Sequence, residues 1–180
     1  EATARRRLAA LEKKESLGTW SPWDDAAPEH GATVDIVSFK KGTIKAWNEK
    51  NWGDEFEATV SITDAKSDLY DAVVLPGGVM SPDKLRADKD VVAFVKHFLE
   101  NDKPVAAICH GPWTLIETGL IKGRKLTSYH TLKTDLINAG AKWVDEEVVV
   151  DNGLVTSRSP KDLDAFCRKM VEEIAEGVHS

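Results

Sequence analysis

The chain has 180 residues, of which 42% are hydrophobic and 30% charged, and its net charge is −6. The length suits a single domain, and the composition excludes a disordered or collagen-like protein. The acidic balance argues against nucleic-acid binding, which needs a basic surface to neutralise phosphates. No run of about 18 apolar residues is present, so we expect no membrane span, and no apolar segment typical of a signal peptide follows the first arginines.

The cysteine and histidine content limits the cofactors that we expect. Two cysteines do not make a disulfide framework, which favours a reducing, cytoplasmic location. The five histidines form no cluster with metal-ligand spacing. No GxGxxG or Walker motif is present. The sequence therefore predicts a protein without metal or cofactor.

Residues 1–30 differ in character from the rest of the chain. The charged stretch from Arg5 to Lys14 favours a short helix, and Gly18 to Pro28 is rich in Pro and Trp and predicts irregular structure. We treat 1–180 as one domain in which 1–30 is atypical and 31–176 is regular.

From Gly31 onward, strands and helices alternate. The expected strands are Thr33–Ser38, Thr43–Trp47, Asp71–Leu75, Pro104–Ile108, Leu126–Ser128, Trp143–Val150 and Leu154–Ser157. The expected helices are Asp88–Leu99, Pro112–Ile121, Thr131–Ala139 and a last helix that Ser159-Pro160 opens. Strands that are apolar throughout indicate a mostly parallel sheet covered on both faces. We therefore predict an α/β three-layer sandwich that ends in a β-hairpin and a helix.

The two cysteines have different surroundings. Cys167 lies on the apolar stripe of the last helix, where a cysteine acts as a small hydrophobe. Cys109 directly follows a buried strand, in the text Ala107-Ile108-Cys109-His110-Gly111, which has the spacing of a nucleophile elbow. The start of a helix favours the thiolate and so predicts a lowered pKa for Cys109. The alternative is a core cysteine at the end of a strand.

Partners for a reactive thiol are present in the loops at the carboxyl ends of the strands, where open sheets bind ligands. Gly77 and Gly78 let the backbone approach a substrate, and the N–H groups of Gly78 and His110 would form an oxyanion hole. His110 is a candidate base, although adjacency to the cysteine around a sharp turn usually points the two side chains apart. Asp83 is a candidate to orient His110, or else a solvated loop acid or helix cap. His130 is expected to face the same crevice as a substrate-binding residue.

Seven segments of the chain have the form of sequence motifs: Leu75-Pro-Gly-Gly78, Ser81-Pro-Asp-Lys-Leu-Arg86, Lys103-Pro-Val-Ala-Ala-Ile-Cys-His-Gly-Pro112, Gly123-Arg-Lys-Leu-Thr-Ser128, Asn138-Ala-Gly140, Trp143-Val-Asp-Glu-Glu-Val-Val-Val-Asp151 and Leu154-Val-Thr-Ser-Arg158. In their order and spacing they resemble the motifs of the ThiJ/PfpI superfamily, in its PfpI-type branch of intracellular proteases and protein deglycases. The resemblance covers about residues 31–176 and implies a flavodoxin-like sandwich.

The resemblance also implies a catalytic arrangement. Cys109 would be the nucleophile, followed by its histidine, His110. An acidic residue from a neighbouring subunit, matching Asp83, would complete the site in a homodimer or homohexamer. The N–H groups of Gly78 and His110 would be the oxyanion donors.

The family also has a glutamate that hydrogen-bonds the cysteine, and its position in this chain is ambiguous. Counting back from Pro22 points to Glu15, which we take as the candidate. Counting back from Gly31 points to Ser16, and Glu12 is also near.

Three functions follow as expectations. The first is a stress-protection enzyme that acts through Cys109 on small aldehydes such as methylglyoxal, or on early glycation adducts. The second is an intracellular cysteine peptidase that uses Cys109, His110 and Asp83 across a subunit interface. The third is a redox sensor or holdase chaperone, which needs the exposed thiol but neither His110 nor Asp83.

Overall fold

A computed structural model describes residues 7–11, 31–48 and 51–177. Within these ranges the strands are β1 (Arg7–Leu11), β2 (Thr33–Ser38), β3 (Gly42–Asn48), β4 (Asn51–Ala58), β5 (Val60–Ser61), β6 (Ala72–Leu75), β7 (Val105–Ile108), β8 (Lys125–Leu126), β9 (Lys142–Trp143), β10 (Val148–Asp151) and β11 (Leu154–Ser157). The helices are α1 (Met80–Arg86), α2 (Lys89–Glu100), α3 (Pro112–Ile116), α4 (Lys133–Asn138) and α5 (Leu163–Glu176). Short 3₁₀ turns lie at Ser67–Leu69, His130–Leu132 and Pro160–Asp162.

The main sheet is parallel except at one edge. Its strand order is β10-β11-β7-β6-β1-β2-β5, and of these strands only β10 pairs antiparallel, with β11, through the predicted hairpin. Strands β3 and β4 form a separate antiparallel pair, and β8 and β9 a short parallel pair. Each parallel strand of the main sheet is six residues long or shorter, and the central ones are apolar throughout, as strands covered on both faces are.

Alternate residues of the strands face two separate hydrophobic cores. On one face, Ala9, Val73, Leu75, Val105 and Ala107 pack with residues of α1 to α4. On the other face, strand side chains pack with α5 through Phe166, Met170 and Ile174. Fully burying one such side chain stabilises the fold by about 1.5–3 kcal/mol. The expected three-layer α/β sandwich with helices on both faces is confirmed.

Asp88 fixes the start of α2. Its side chain accepts hydrogen bonds from the backbone N–H groups of Asp90 and Val91, at 2.9 and 3.1 Å. These N–H groups have no partner within the helix, so an N-cap carboxylate satisfies them. Val91, Phe94, Val95 and Phe98 then share the buried face of this helix, as the sequence pattern predicts.

The expected helix from Arg5 to Lys14 is wrong in the part that the structure describes. Residues Arg7–Leu11 form β1, which pairs parallel with β2 on one side and β6 on the other. Arg7 stands at the first position of the strand, and Leu8, Ala9 and Ala10 fill its fully buried centre. The sheet therefore accepts this segment without burying an arginine at its middle.

Other expectations were correct in type but not in extent. The α-helix after Cys109 ends at Ile116 rather than Ile121, because the chain turns at Thr118 and Gly119. The strand expected over Trp143–Val150 is divided into β9 and β10. Helix α1 and strand β4 were not anticipated. In the described part of the chain, no helix combines the length and apolar character that crossing a membrane requires.

Register brings the ends of the central strands together. Leu75 of β6 lies opposite Ala107 of β7, and Ser157 of β11 lies opposite Ile108. The three strands therefore end at one level of the sheet, and the loops that follow them meet there. Those loops contain Gly77, Cys109 and Arg158.

Candidate active site

Cys109 stands in a strained backbone conformation at the end of β7. Its φ angle is +61°, a left-handed value that is unfavourable for a residue with a side chain and costs about 1–3 kcal/mol. Hydrogen bonds hold this conformation on both sides. The Cys109 N–H donates to the Ser157 carbonyl at 3.0 Å, and its carbonyl accepts from the Tyr129 N–H at 2.8 Å.

Two glycines make room for this turn. A Cβ placed on Gly77 would lie 2.7 Å from the Cβ of Cys109 and 3.3 Å from its Sγ. A Cβ on Gly111 would collide with the backbone carbonyl of Leu75. The expected nucleophile elbow, with small residues around the cysteine, is therefore what the backbone forms.

The described surroundings of the Cys109 thiol favour its neutral form. Burial is the main influence and raises the pKa of Cys109, and hydrogen bonds from the backbone N–H groups of Gly78 and His110 oppose it. The expectation of a lowered pKa is thus wrong in direction. Helix α3 is a single short turn, and desolvation of the half-buried sulfur outweighs what its start supplies.

The same two N–H groups are well placed for a second task. They already approach the sulfur, and a carbonyl carbon bonded to that sulfur would bring its oxygen into their neighbourhood. Gly78 has a φ of +81°, which glycine adopts without the strain of a side chain. The N–H groups of Gly78 and His110, which the sequence analysis predicts as oxyanion donors, thus both lie at the sulfur.

His110 contacts the thiol directly. Its Nδ1 lies 3.2 Å from the Sγ of Cys109, so the expectation that adjacency would point the two side chains apart is wrong. Burial lowers the pKa of His110, and the nearby imidazole of His130 lowers it further. In the tautomer whose N–H is on Nε2, Nδ1 is free to accept the S–H proton.

Thr131 completes this arrangement, and the sequence analysis missed it. Its Oγ1 lies 3.4 Å from the Nε2 of His110. If Nδ1 accepts the thiol proton, Nε2 carries the N–H and donates to Thr131. The position of Thr131 in the sequence could have indicated this role, because Thr131 follows a strand expected to end at the same edge of the sheet as Cys109.

An aromatic stack forms one wall of the site. The rings of His110 and Tyr129 are stacked, with centroids 4.8 Å apart and planes 26° apart. His130 lies against Tyr129, at 4.4 Å between centroids, and Trp113 meets His110 edge-on at 6.4 Å. His130 therefore lies near the site, with Tyr129 between it and His110.

The two acidic candidates have different outcomes. Asp83 is exposed in the first turn of α1, and none of the hydrogen bonds among the described residues joins its carboxylate to His110. Within one chain, then, Thr131 rather than Asp83 contacts the histidine. Glu15 lies outside the described residues, as do Ser16 and Glu12.

Cys167 has a packing role, as expected. It lies on α5 against the core beneath the sheet, and burial and the neighbouring Asp164 raise its pKa to about 11. Such a thiol is a poor nucleophile near neutral pH. Among the residues that the structure describes, no group of three or more His, Cys, Asp and Glu side chains is arranged to hold a metal ion.

Comparison with known proteins identifies the family of the chain. The model of the DJ-1/PfpI family matches residues 8–173. A protein of Bacillus subtilis (strain 168) named "Putative cysteine protease YraA" is 50% identical over 117 residues, which are 65% of this chain and 69% of the relative.

Two solved structures share the fold. A two-domain protein from Anabaena variabilis, with DJ-1/ThiJ/PfpI-like and ferritin-like domains, gives a TM-score of 0.87 at 34% identity. The match covers 94% of this chain but 48% of that protein, so the chain spans about half of its length. Drosophila melanogaster DJ-1beta gives a TM-score of 0.80 at 26% identity, covering 95% of this chain and 91% of the fly protein. With its flavodoxin-like sheet and its cysteine elbow after the central strand β7, the chain belongs to the DJ-1/PfpI family.

Proposed function

We propose that the protein is a cysteine-dependent enzyme that acts on reactive carbonyl compounds such as methylglyoxal and on their early adducts with amino groups. The observation that carries the proposal is the setting of the Cys109 sulfur. It lies 3.2 Å from His110 Nδ1 and accepts hydrogen bonds from the backbone N–H groups of Gly78 and His110. A base and two oxyanion donors thus surround one nucleophile.

The raised pKa of Cys109 makes the base necessary. In the first step the sulfur bonds to the aldehyde carbon of methylglyoxal while the S–H proton passes to His110 Nδ1. The aldehyde oxygen becomes an oxyanion that the N–H groups of Gly78 and His110 stabilise, and it then takes up a proton to give a hemithioacetal.

The second step is an internal oxidation and reduction. A proton leaves the former aldehyde carbon, which rises to the thioester level, and a proton adds to the former ketone carbon, which becomes an alcohol. Water then cleaves the thioester and restores the thiol, so methylglyoxal and water give lactate with no external oxidant. With an adduct, the sulfur–carbon bond forms as the bond from the former aldehyde carbon to nitrogen breaks. The amine or guanidine leaves with the S–H proton that His110 has taken up, and the same hemithioacetal remains. His110 is the described group closest to these proton transfers.

The proposal also includes two acidic residues, Asp83 and Glu15, for which no contact with the site is described within one chain. We propose that Asp83 reaches the His110 of a second subunit, in a homodimer or homohexamer, because it is exposed and close in sequence to the oxyanion loop. Glu15 remains the candidate for a carboxylate at the thiol.

A peptidase is the second candidate. The Cys109–His110 contact supports it, as does the name of the Bacillus subtilis relative. A redox sensor is less well supported, because a thiol with a raised pKa is slower to oxidise than a thiolate.

The decisive experiment measures methylglyoxal consumption and lactate formation by the wild-type protein, Cys109→Ala and Cys167→Ala. We expect turnover in the wild type and in Cys167→Ala, and a loss of at least about a hundredfold in Cys109→Ala. A folded wild-type protein that forms no lactate but cleaves an unfolded protein substrate through Cys109 would replace the carbonyl enzyme with the peptidase.

A further inference from the structure

An open pocket of about 410 Å³ lies beside the elbow. Its lining includes Tyr129, His130, Asp145, Arg158, Lys161 and Asp162. Backbone hydrogen bonds connect two sides of the pocket to Cys109. Tyr129 donates its N–H to the Cys109 carbonyl, and Arg158 directly follows Ser157, whose carbonyl accepts the Cys109 N–H. Through these two bonds the pocket lies beside the turn that carries the thiol.

The acidic side of the pocket has more negative charge than its guanidinium neutralises, so it can bind a further cation. The Arg158 guanidinium donates to Asp162 twice, at 3.0 Å, and to Asp145 once, at 2.9 Å. Two carboxylates facing one guanidinium leave a net negative charge. Asp162 is only 9% exposed, but the Asp145 side chain is 70% exposed, so the outward oxygen of Asp145 is accessible to a ligand.

The basic side of the pocket is Lys161. It is exposed at the pocket, and within the described ranges of the chain no carboxylate lies at ion-pair distance from its ammonium group. Ser159, its neighbour but one, likewise makes no side-chain capping bond. The pocket therefore offers one accessible anion, one accessible cation and neutral hydrogen-bonding groups.

We propose that this pocket binds the α-amino-acid end of a carbonyl adduct, with Lys161 facing its carboxylate and Asp145 its ammonium group. A purely anionic ligand would lie against Asp145 without compensation, and a purely cationic one against Lys161. A zwitterionic end satisfies both. The inference rests on the proposed function, and it makes amino-acid adducts rather than free aldehydes the preferred substrates.

A substrate of this kind can contact both the thiol and the pocket. His110 lies at the thiol, and its stacked neighbour Tyr129 lines the pocket, with the two ring centroids 4.8 Å apart. A small aldehyde such as methylglyoxal has no charged end for Lys161 to contact. A modified amino-acid side chain places the reactive carbon and the charged end at opposite ends of a flexible chain, which bridges the two places.

Four methylglyoxal adducts test the assignment: those of L-arginine, Nα-acetyl-L-arginine, L-argininamide and Nα-acetyl-L-argininamide. They carry both charges, the carboxylate alone, the ammonium alone, or neither. We measure kcat/KM for lactate release by the wild type, Lys161→Gln, Asp145→Asn and, as a control on a distant helix, Lys96→Gln. Thermal unfolding checks that Asp145→Asn keeps its fold after losing one bond to Arg158.

We expect the free arginine adduct to be the best wild-type substrate. Removing either charge should lower kcat/KM by about two- to fivefold, the effect of one solvent-exposed ion pair. Lys161→Gln should abolish the preference for the carboxylate, and Asp145→Asn the preference for the ammonium. Neither substitution should change kcat/KM for bare methylglyoxal, and Lys96→Gln should match the wild type throughout.

Equal kcat/KM values for the four adducts would overturn the inference while methylglyoxal turnover keeps the proposed function. A preference for the carboxylate that persists in Lys161→Gln would also overturn the inference. If neither the adducts nor methylglyoxal is turned over, the proposed function fails. Calorimetry then measures how tightly unmodified L-arginine and L-argininamide bind to Cys109→Ala, which tests the pocket separately from catalysis. Tighter binding of L-arginine that depends on Lys161 supports it, and equal binding overturns it.

Discussion

Gly77→Ala tests whether the position of the thiol determines activity. The new Cβ would lie 2.7 Å from the Cβ of Cys109, whereas carbon atoms in contact are about 3.5–4.0 Å apart. One of the two side chains must therefore move by roughly 1 Å. The carbonyl of Ile108 lies 3.3 Å from the new methyl group and belongs to a central strand, so the cysteine is the group that shifts.

A displacement of about 1 Å at a reacting atom lowers catalysis by about a hundredfold, or about 2.7 kcal/mol in the barrier. We expect that loss in kcat/KM for methylglyoxal, together with a fall of about 1–3 kcal/mol in the free energy of unfolding. Gly119→Ala is the control. Gly119 also has a positive φ, +73°, but a methyl group added there would meet no atom within 4 Å, so stability alone should fall. A folded Gly77→Ala protein with wild-type kcat/KM would refute the reasoning.

Three further predictions concern pH and stability. The rate of Cys109 alkylation by iodoacetamide should keep rising above about pH 8.5, because burial raises the pKa of Cys109; a plateau already reached at pH 7 would contradict this. The pKa of Cys167, raised to about 11, exceeds that of an unfolded cysteine, about 8.5. The folded chain therefore holds this proton more tightly, so the urea midpoint should fall as pH rises from 8.5 to 11, and less steeply in Cys167→Ala. Asp88→Ala should lower the free energy of unfolding by about 1 kcal/mol through loss of the α2 cap, measured in urea against Asp90→Ala, which should change it little.

The sequence was most informative where burial is complete. The strands before Gly77 and Cys109 are short apolar runs between turn residues, and a parallel sheet is the arrangement that covers both of their faces. The elbow was predictable for the same reason, since a cysteine between a buried strand and a Gly-Pro pair has few other conformations. β1 was missed because its buried centre is only three residues long and lies beside arginines, which dominate any local pattern.

Predictions from local sequence patterns failed where tertiary contacts determine the geometry. The contact between Cys109 and His110 depends on Tyr129 and Thr131, which hold the imidazole from a distant loop. The direction of the Cys109 pKa depends on how deeply the sulfur is buried, which no spacing of residues reveals. The charged pocket joins Asp145 to Arg158 across the final hairpin, and the two positions carry no shared motif.

The place of β1 has a consequence for how the chain folds. β1 is synthesised before both of its partners, and one of them, β6, begins only at Ala72. Until the ribosome has made that segment, Leu8, Ala9 and Ala10 have only β2 beside them. Closure of the sheet is thus a late, non-local event of the kind that slows folding. A nascent chain stalled before Ala72 exposes an unpaired strand edge, which makes it a substrate for chaperones and a source of aggregation.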